Sequence, residues 1–190
     1  MFKKYRNITY FFCNKNKGLS QAFNSVLLDG GVGWRKDDYV IFFDQDTDIP
    51  KGHIHDLVNE YEKLKAKNFN IGCIGPIYYN TSGNRMEIPK IKKKISERSL
   101  SVESIITTSM LCKYGDLENI GFWNEKIFLD LADWDICFRF IQHNFLCCMS
   151  FASIVRHSVG EGEKRIGRIR IRVWNPIREY YQLRDGRYLF

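Results

Sequence analysis

The sequence predicts an α/β domain, a mostly parallel sheet flanked by helices. Two short runs, Tyr39 to Phe43 and Ile71 to Ile77, are β-branched and aromatic, carry no polar alternation and are too short for helices. Such runs fit strands covered on both faces. Segments with helical spacing of apolar residues alternate with them, which is the order that right-handed crossovers and a parallel sheet require. At 190 residues, 44% apolar and 15% aromatic, the chain has the length of one domain and enough apolar surface for a substantial core.

Taken in order, Ile8 to Cys13 is a strand candidate, and Asn14 to Gly18 is a turn rich in residues that tolerate positive φ. Ser20 reads as the cap of a helix through Ala22, Phe23, Val26 and Leu27, stopped by Gly30 and Gly31. After the strand at 39 to 43, a helix over about 54 to 67 puts Leu57, Tyr61 and Leu64 on one face. The strand at 71 to 77 follows. Residues 80 to 100 are lysine-rich and aperiodic, a surface excursion. Ile105 to Cys112 reads as a strand, Gly121 to Glu125 as a turn, and Asp133 to His143 as a helix with Ile136, Phe140 and Ile141 inward. Cys147 to Ile154 is the last strand, leading to Arg156 and His157, and 163 to 190 form a basic, aromatic tail. No repeat or low-complexity linker divides the chain, so residues 1 to 190 read as a single domain.

Six scattered cysteines without a C-x-x-C pair, and no charged-then-apolar leader, indicate reduced cytosolic thiols. No apolar stretch approaches the roughly 18 to 20 residues that cross a bilayer. The net charge of +7 is unevenly placed. Residues 1 to 36 carry seven Lys/Arg against one Asp, 90 to 98 five against one Glu, and 156 to 190 nine against four acids, while the two stretches between are each acidic by four. An acidic centre with basic flanks suits an anionic diphosphate substrate and an anionic surface. The basic segments are not organised as a recognition helix or an RNA motif, which argues against nucleic acid. Solvated surface lysines account for most of 90 to 98.

The chemistry concentrates where the strand at 39 to 43 runs into Asp44, Asp46 and Asp48. Ligands in open α/β sheets sit where such strands end, and carboxylates this close repel unless solvated or neutralised by a hard cation. A calcium EF-hand loop would need glycine at its sixth place and glutamate at its twelfth; these are Ile49 and His55, so that reading fails. A solvated acidic loop is the plainer alternative.

Four blocks in order then resemble a known family, the inverting family-2 nucleotide-sugar glycosyltransferases, and within it the bacterial rhamnosyltransferase-like branch. Asn16 to Asn24 is similar to the N-x-G-[IL]-[AS]-x-A-x-N turn and helix, and Phe43 to Thr47 to the [LF]-D-Q-D-[ST] metal motif. Gly121 to Glu125, then Phe128 to Asp135 and Arg139, resemble the G-x-[FW]-[DN]-E and F-[IL]-D…D block. His157 to Gly160 and Arg178 to Arg184 resemble H-x-[ILV]-G and R-x-Y-Y-x-x-R. The resemblance implies a GT-A fold and a metal-dependent enzyme that transfers rhamnose or a similar sugar from a nucleotide diphosphate donor to a lipid-linked or polysaccharide acceptor of the cell envelope. It implies Asp133 as catalytic base, and Asp46, His157 and Asp44 as holders of magnesium or manganese. Donor contacts would be Asp44, Gln45, Asn16, Gly18, Arg178 and Arg184, and acceptor contacts Thr108, Ser109, Asp130 and Trp134. The plainer readings are a solvated loop histidine for His157 and, for Asp130, Asp133 and Asp135, carboxylates stabilising the start of a helix.

The family usually opens with a strand, helix and strand that hold the nucleotide base, and that unit has no counterpart ahead of the matched blocks. An exposed sheet edge near Ile8 to Cys13, completed by a second chain or by self-association, is therefore expected. A non-catalytic module that binds a partner chain or glycan is the rival function. The expected location is cytoplasmic, with peripheral contact at the inner face of the cell membrane. Arg165, Arg168, Arg170 and Arg172 alternate with apolar residues as a membrane-contacting segment or an ordinary edge strand would.

Overall fold

The computed structural model describes residues 7–45, 47–81, 83–157, 163–166, 169–172 and 175–189, with the side chains of 157, 163–166 and 169–172 outside the description. The elements are α1 (Leu19–Asp29), β1 (Tyr39–Ile41), α2 (His53–Ala66), β2 (Ile71–Asn80), β3 (Arg85–Glu87), β4 (Ile91–Lys94), β5 (Ser99–Val102), β6 (Leu111–Lys113), α3 (Tyr114–Asn119), α4 (Ala132–Gln142), β7 (Leu146–His157), β8 (Glu163–Ile166), β9 (Ile169–Arg172) and α5 (Pro176–Asp185). The main sheet has the order β1-β6-β2-β7-β5-β4, with β3 on the end of β2; β8 and β9 form a separate hairpin.

The α/β class with helices on the sheet holds. The pairing is mixed: β2 and β7 are parallel, while β6 inserts antiparallel between β1 and β2, and β5 lies antiparallel on β7. Because β6 opposes both neighbours, β1 and β2 still run the same way, as the strand-helix-strand order through α2 demands. Each face of the sheet has its own core. Leu57, Tyr61 and Leu64 of α2 pack on Ile71, Ile74, Leu111 and Cys148. On the other side Leu27 of α1 and Ile136 and Phe140 of α4 join Cys73, Cys147 and Met149. Five of the six cysteines are buried and Cys13 is exposed. Where Cys73, Cys137 and Cys147 meet, the Cys137 thiol faces the Ile105 carbonyl at 3.8 Å and the Cys147 thiol the Cys137 carbonyl at 3.5 Å.

Several sequence expectations are corrected. Ile8 to Cys13 forms no strand and is exposed, since strand propensity without a neighbour to pair makes no ladder. Ser20 is not the cap: α1 starts at Leu19, whose N–H donates to the Phe128 carbonyl at 2.7 Å, and Ser20 is buried in the first turn. Residues 80 to 100 are no structureless excursion, because they hold β3, β4 and the start of β5. The whole of β4 is exposed, and its three lysines suit an unpaired sheet edge. The strand expected at 105 to 112 is confined to β6; the stretch before it is a turn in which Ser109 takes a left-handed φ of 63°.

Candidate active site

The ends of β2, the turn before β6, the loop before α4, and α5 enclose a cavity of about 560 Å3. Its polar side is formed by Asp44, Thr107, Thr108, Asp130, Asp133, Arg178 and Gln182, and Trp134 stands at its edge, half-exposed.

Three aspartates lie on or beside the start of α4, and their partners separate them. Asp130 is gripped by Arg178, whose Nε donates to both carboxylate oxygens at 3.0 and 3.2 Å, and by the Gln182 amide at 3.2 Å. Asp135 is buried and paired with Arg139, with Nε to Oδ2 at 2.8 Å. Arg139 donates in turn to the Ile120 carbonyl at 2.7 Å and to that of Phe122, so this pair braces the turn ahead of α4. Asp133 has no cationic partner among the described residues. It accepts hydrogen bonds from the Thr107 N–H at 3.2 Å and from the Thr107 hydroxyl. Burial pushes the Asp133 carboxyl up to about 7; nearby Cys137 and the Asp44 charge add to the rise, and the Thr107 bonds work against it. A carboxyl that titrates near neutral pH at a cavity wall is equipped to take a proton.

Asp44 follows β1, lines the same cavity and accepts from the Thr108 hydroxyl. Gln45 is exposed in the turn beyond it, and Asp46 lies outside the described residues. The backbone at Asp48 bridges to Arg156, with Asp48 N–H to Arg156 O at 3.2 Å, so the acidic loop is pinned beside the end of β7 and next to His157. The His157 backbone pairs in register with Asn80; its side chain is not described. Carboxylate oxygens together with an imidazole are in general a donor set suited to magnesium or manganese, and of the three expected ligands only the Asp44 side chain is described.

Asn16 and Gly18 shape the turn beneath this site. The Asn16 side-chain Oδ1 accepts from Gly18 N–H at 2.9 Å. Gly18 has φ 81°, and a Cβ there would stand 2.6 Å from the Phe128 oxygen, so only glycine lets the turn close on the Phe128 to Asp130 loop. Asn24 ties α1 to the turn at 121 to 125, donating to the Trp123 carbonyl at 2.9 Å and to Glu125 at 3.0 Å, and accepting from Trp123 N–H at 3.1 Å. Ser109 is fully buried below the turn and does not line the cavity. Arg184 also stays out of it, stacked 4.6 Å over Tyr181 and bonded to Asp185, which is buried and accepts from Phe128 N–H at 2.7 Å. The sequence assigns no site role to Thr107, Gln182 or Asp185. Thr107 adjoins the expected Thr108, and Gln182 and Asp185 sit in or just after the R-x-Y-Y-x-x-R block, but their partners are distant in the chain.

The cavity thus lies at the strand ends of an α/β sheet, with Asp44 and Asp133 on its wall and the acidic loop pinned at Asp48 beside it. A family model for glycosyl transferase family 2 matches residues 1–120, and the chain belongs to that family. It is 25% identical over 185 residues to the dTDP-rhamnosyl transferase RfbF of Shigella flexneri; the match takes in 90% of this chain and 59% of that relative's length. Among solved structures, that of GalNAc-T7 with UDP, GalNAc and Mn2+ superposes with a TM-score of 0.60 at 13% identity, over 78% of this chain and 32% of that one, which establishes the shared GT-A fold. Among the described residues no helix is long and apolar enough to cross a membrane.

Proposed function

We propose that the chain is a metal-dependent inverting glycosyltransferase, moving rhamnose or a similar sugar from a nucleoside diphosphate donor to a hydroxyl of a cell-surface glycan precursor. The carrying observation is the singular state of Asp133, which faces the cavity with its carboxyl raised to about 7 while Asp130 and Asp135 are held by arginines. The acceptor hydroxyl gives its proton to Asp133 as its oxygen bonds to the anomeric carbon; the bond to the diphosphate breaks, and the configuration inverts. Asp44, Asp46 and His157 would hold a divalent cation, which when bound neutralises charge on the leaving diphosphate. Asp44, Gln45 and the Asn16 to Gly18 turn would face the donor, with Arg178 oriented by Asp130 at the phosphate side. Thr108, Asp130 and Trp134 would meet the acceptor, and Ser109 would act from beneath by shaping the turn. Rhamnose is favoured because the Shigella relative's name specifies a dTDP-rhamnosyl donor.

Thermal melts with dTDP and manganese test the donor side. The expected result is a rise in Tm that needs both additives and vanishes in Asp46→Ala, whose own Tm without them matches wild type. No joint shift, or an equal shift in the variant, would remove the metal assignment. The basic clusters favour a peripheral position on the anionic inner face of the membrane, on the cytoplasmic side. Pelleting with anionic vesicles no better than with neutral ones would contradict that placement.

A further inference from the structure

Beside the transfer cavity lies a second one of about 330 Å3, lined by Lys92, Glu103, Trp134, Phe138, Ile141 and Leu189. Trp134 lines both. Its position in the chain, immediately after Asp133, makes it a partition between the carboxyl proposed as base and the second cavity. Trp134, Phe138 and Ile141 stand at i, i+4 and i+7 on α4, which brings them to one face. Trp134 and Phe138 are 50% and 42% exposed, unusual for large aromatic groups unless something covers them. The other wall is polar: Lys92 comes from β4, and Glu103, just after β5, is held by Lys90 at 2.8 Å.

The mixture selects a ligand class. A polyphosphate would face Glu103, and an aliphatic chain would desolvate Lys92 and the Lys90–Glu103 pair without offering either a hydrogen bond. A pyranose satisfies both walls, with a C–H face to lie on the aromatic rings and hydroxyls at its edge that donate to a carboxylate and accept from an ammonium. The volume lies at the lower end of the roughly 300 to 1,000 Å3 of small-ligand sites.

We infer that the second cavity binds the acceptor sugar next to the one that receives the transferred unit, so that the acceptor is an oligosaccharide of at least two residues. This rests on the proposed function for the identity of the first cavity, and the test is therefore a binding measurement that needs no turnover. Titrations of the protein with methyl rhamnoside, the methyl glycoside of rhamnosyl-rhamnose, and octyl rhamnoside, read by tryptophan fluorescence and by saturation transfer to the sugar protons, compare wild type with Phe138→Ala. The disaccharide is expected to bind about tenfold or more tighter than the monosaccharide, and Phe138→Ala to remove that advantage while leaving monosaccharide affinity unchanged. Equal affinities, an undiminished advantage in the variant, or no binding of the disaccharide overturns the inference, and a larger gain from the octyl chain than from the second sugar assigns the cavity to a lipid instead. Loss of the dTDP and manganese response with the disaccharide preference intact would sink the transferase reading alone.

Discussion

At the scale of single residues, Asp133 is defined by what it lacks. Its carboxyl sits against a cavity wall with hydroxyl and amide partners but no described cation, and burial holds it up to about 7. A folded-state value above the unfolded one means the native protein binds the proton more tightly. Stability is therefore lost as pH rises from about 4 to about 7 and is flat beyond. Asp133→Asn removes this group, so the Tm of the variant minus that of wild type is expected to grow across that window and then level off; parallel Tm curves would show that Asp133 is not buried as described. Asp135 behaves oppositely. Asp135→Ala leaves Arg139 largely buried without its carboxylate and is expected to cost about 3 to 5 kcal/mol in urea unfolding. A loss under about 1 kcal/mol would contradict the bracing role. The sequence marked Asp130, Asp133 and Asp135 together and could not separate them from the residues alone. The partners that do so include Arg178 and Gln182, which lie 48 and 52 residues along the chain from Asp130.

Elements with a long apolar period were legible in the sequence, and those defined by distant pairing were not. The core faces of α2 and α4 lie where periodicity put them, since a helix carries its own hydrogen bonds and needs the rest of the fold only to cover one stripe. Strands β3 to β5 are rich in charged residues and serines and became strands because β2, β7 and then β5 offered edges to β3, β5 and β4 respectively. The first serine of β5 is accommodated by a buried carboxylate, Ser99 donating to Glu60 of α2 at 2.7 Å. The start of α1 was misplaced for a related reason: its first N–H is satisfied by Phe128, more than 100 residues away, and not by a local cap. The joint between α1 and the turn at 121 to 125 can be tested. Asn24→Ala strips three hydrogen bonds from a buried junction and is expected to destabilise by about 1 to 3 kcal/mol. An unchanged denaturation midpoint would mean that water replaces the clasp.

At the scale of the whole molecule, the sheet places the acidic loop after β1, the base at the start of α4 and the tail helix α5 around one cavity, although these segments are spread from residue 44 to residue 182. Among the described strands β1 pairs only with β6, leaving its other edge open, and Tyr10, Phe12, Leu28 and Val32 are half or more exposed. Such a surface favours association with a second copy or a partner chain. Sedimentation is expected to show mass rising with concentration; a monomer throughout would contradict an open edge. The central claim, that Asp133 is the base of a sugar transfer, is tested most directly by separating rate from donor binding. Transfer from dTDP-rhamnose to a rhamnose-containing acceptor, with dTDP-rhamnose affinity measured on the same preparations, should fall about a hundredfold or more in Asp133→Asn while the affinity stays within about twofold. Transfer at the wild-type rate by Asp133→Asn would contradict the claim.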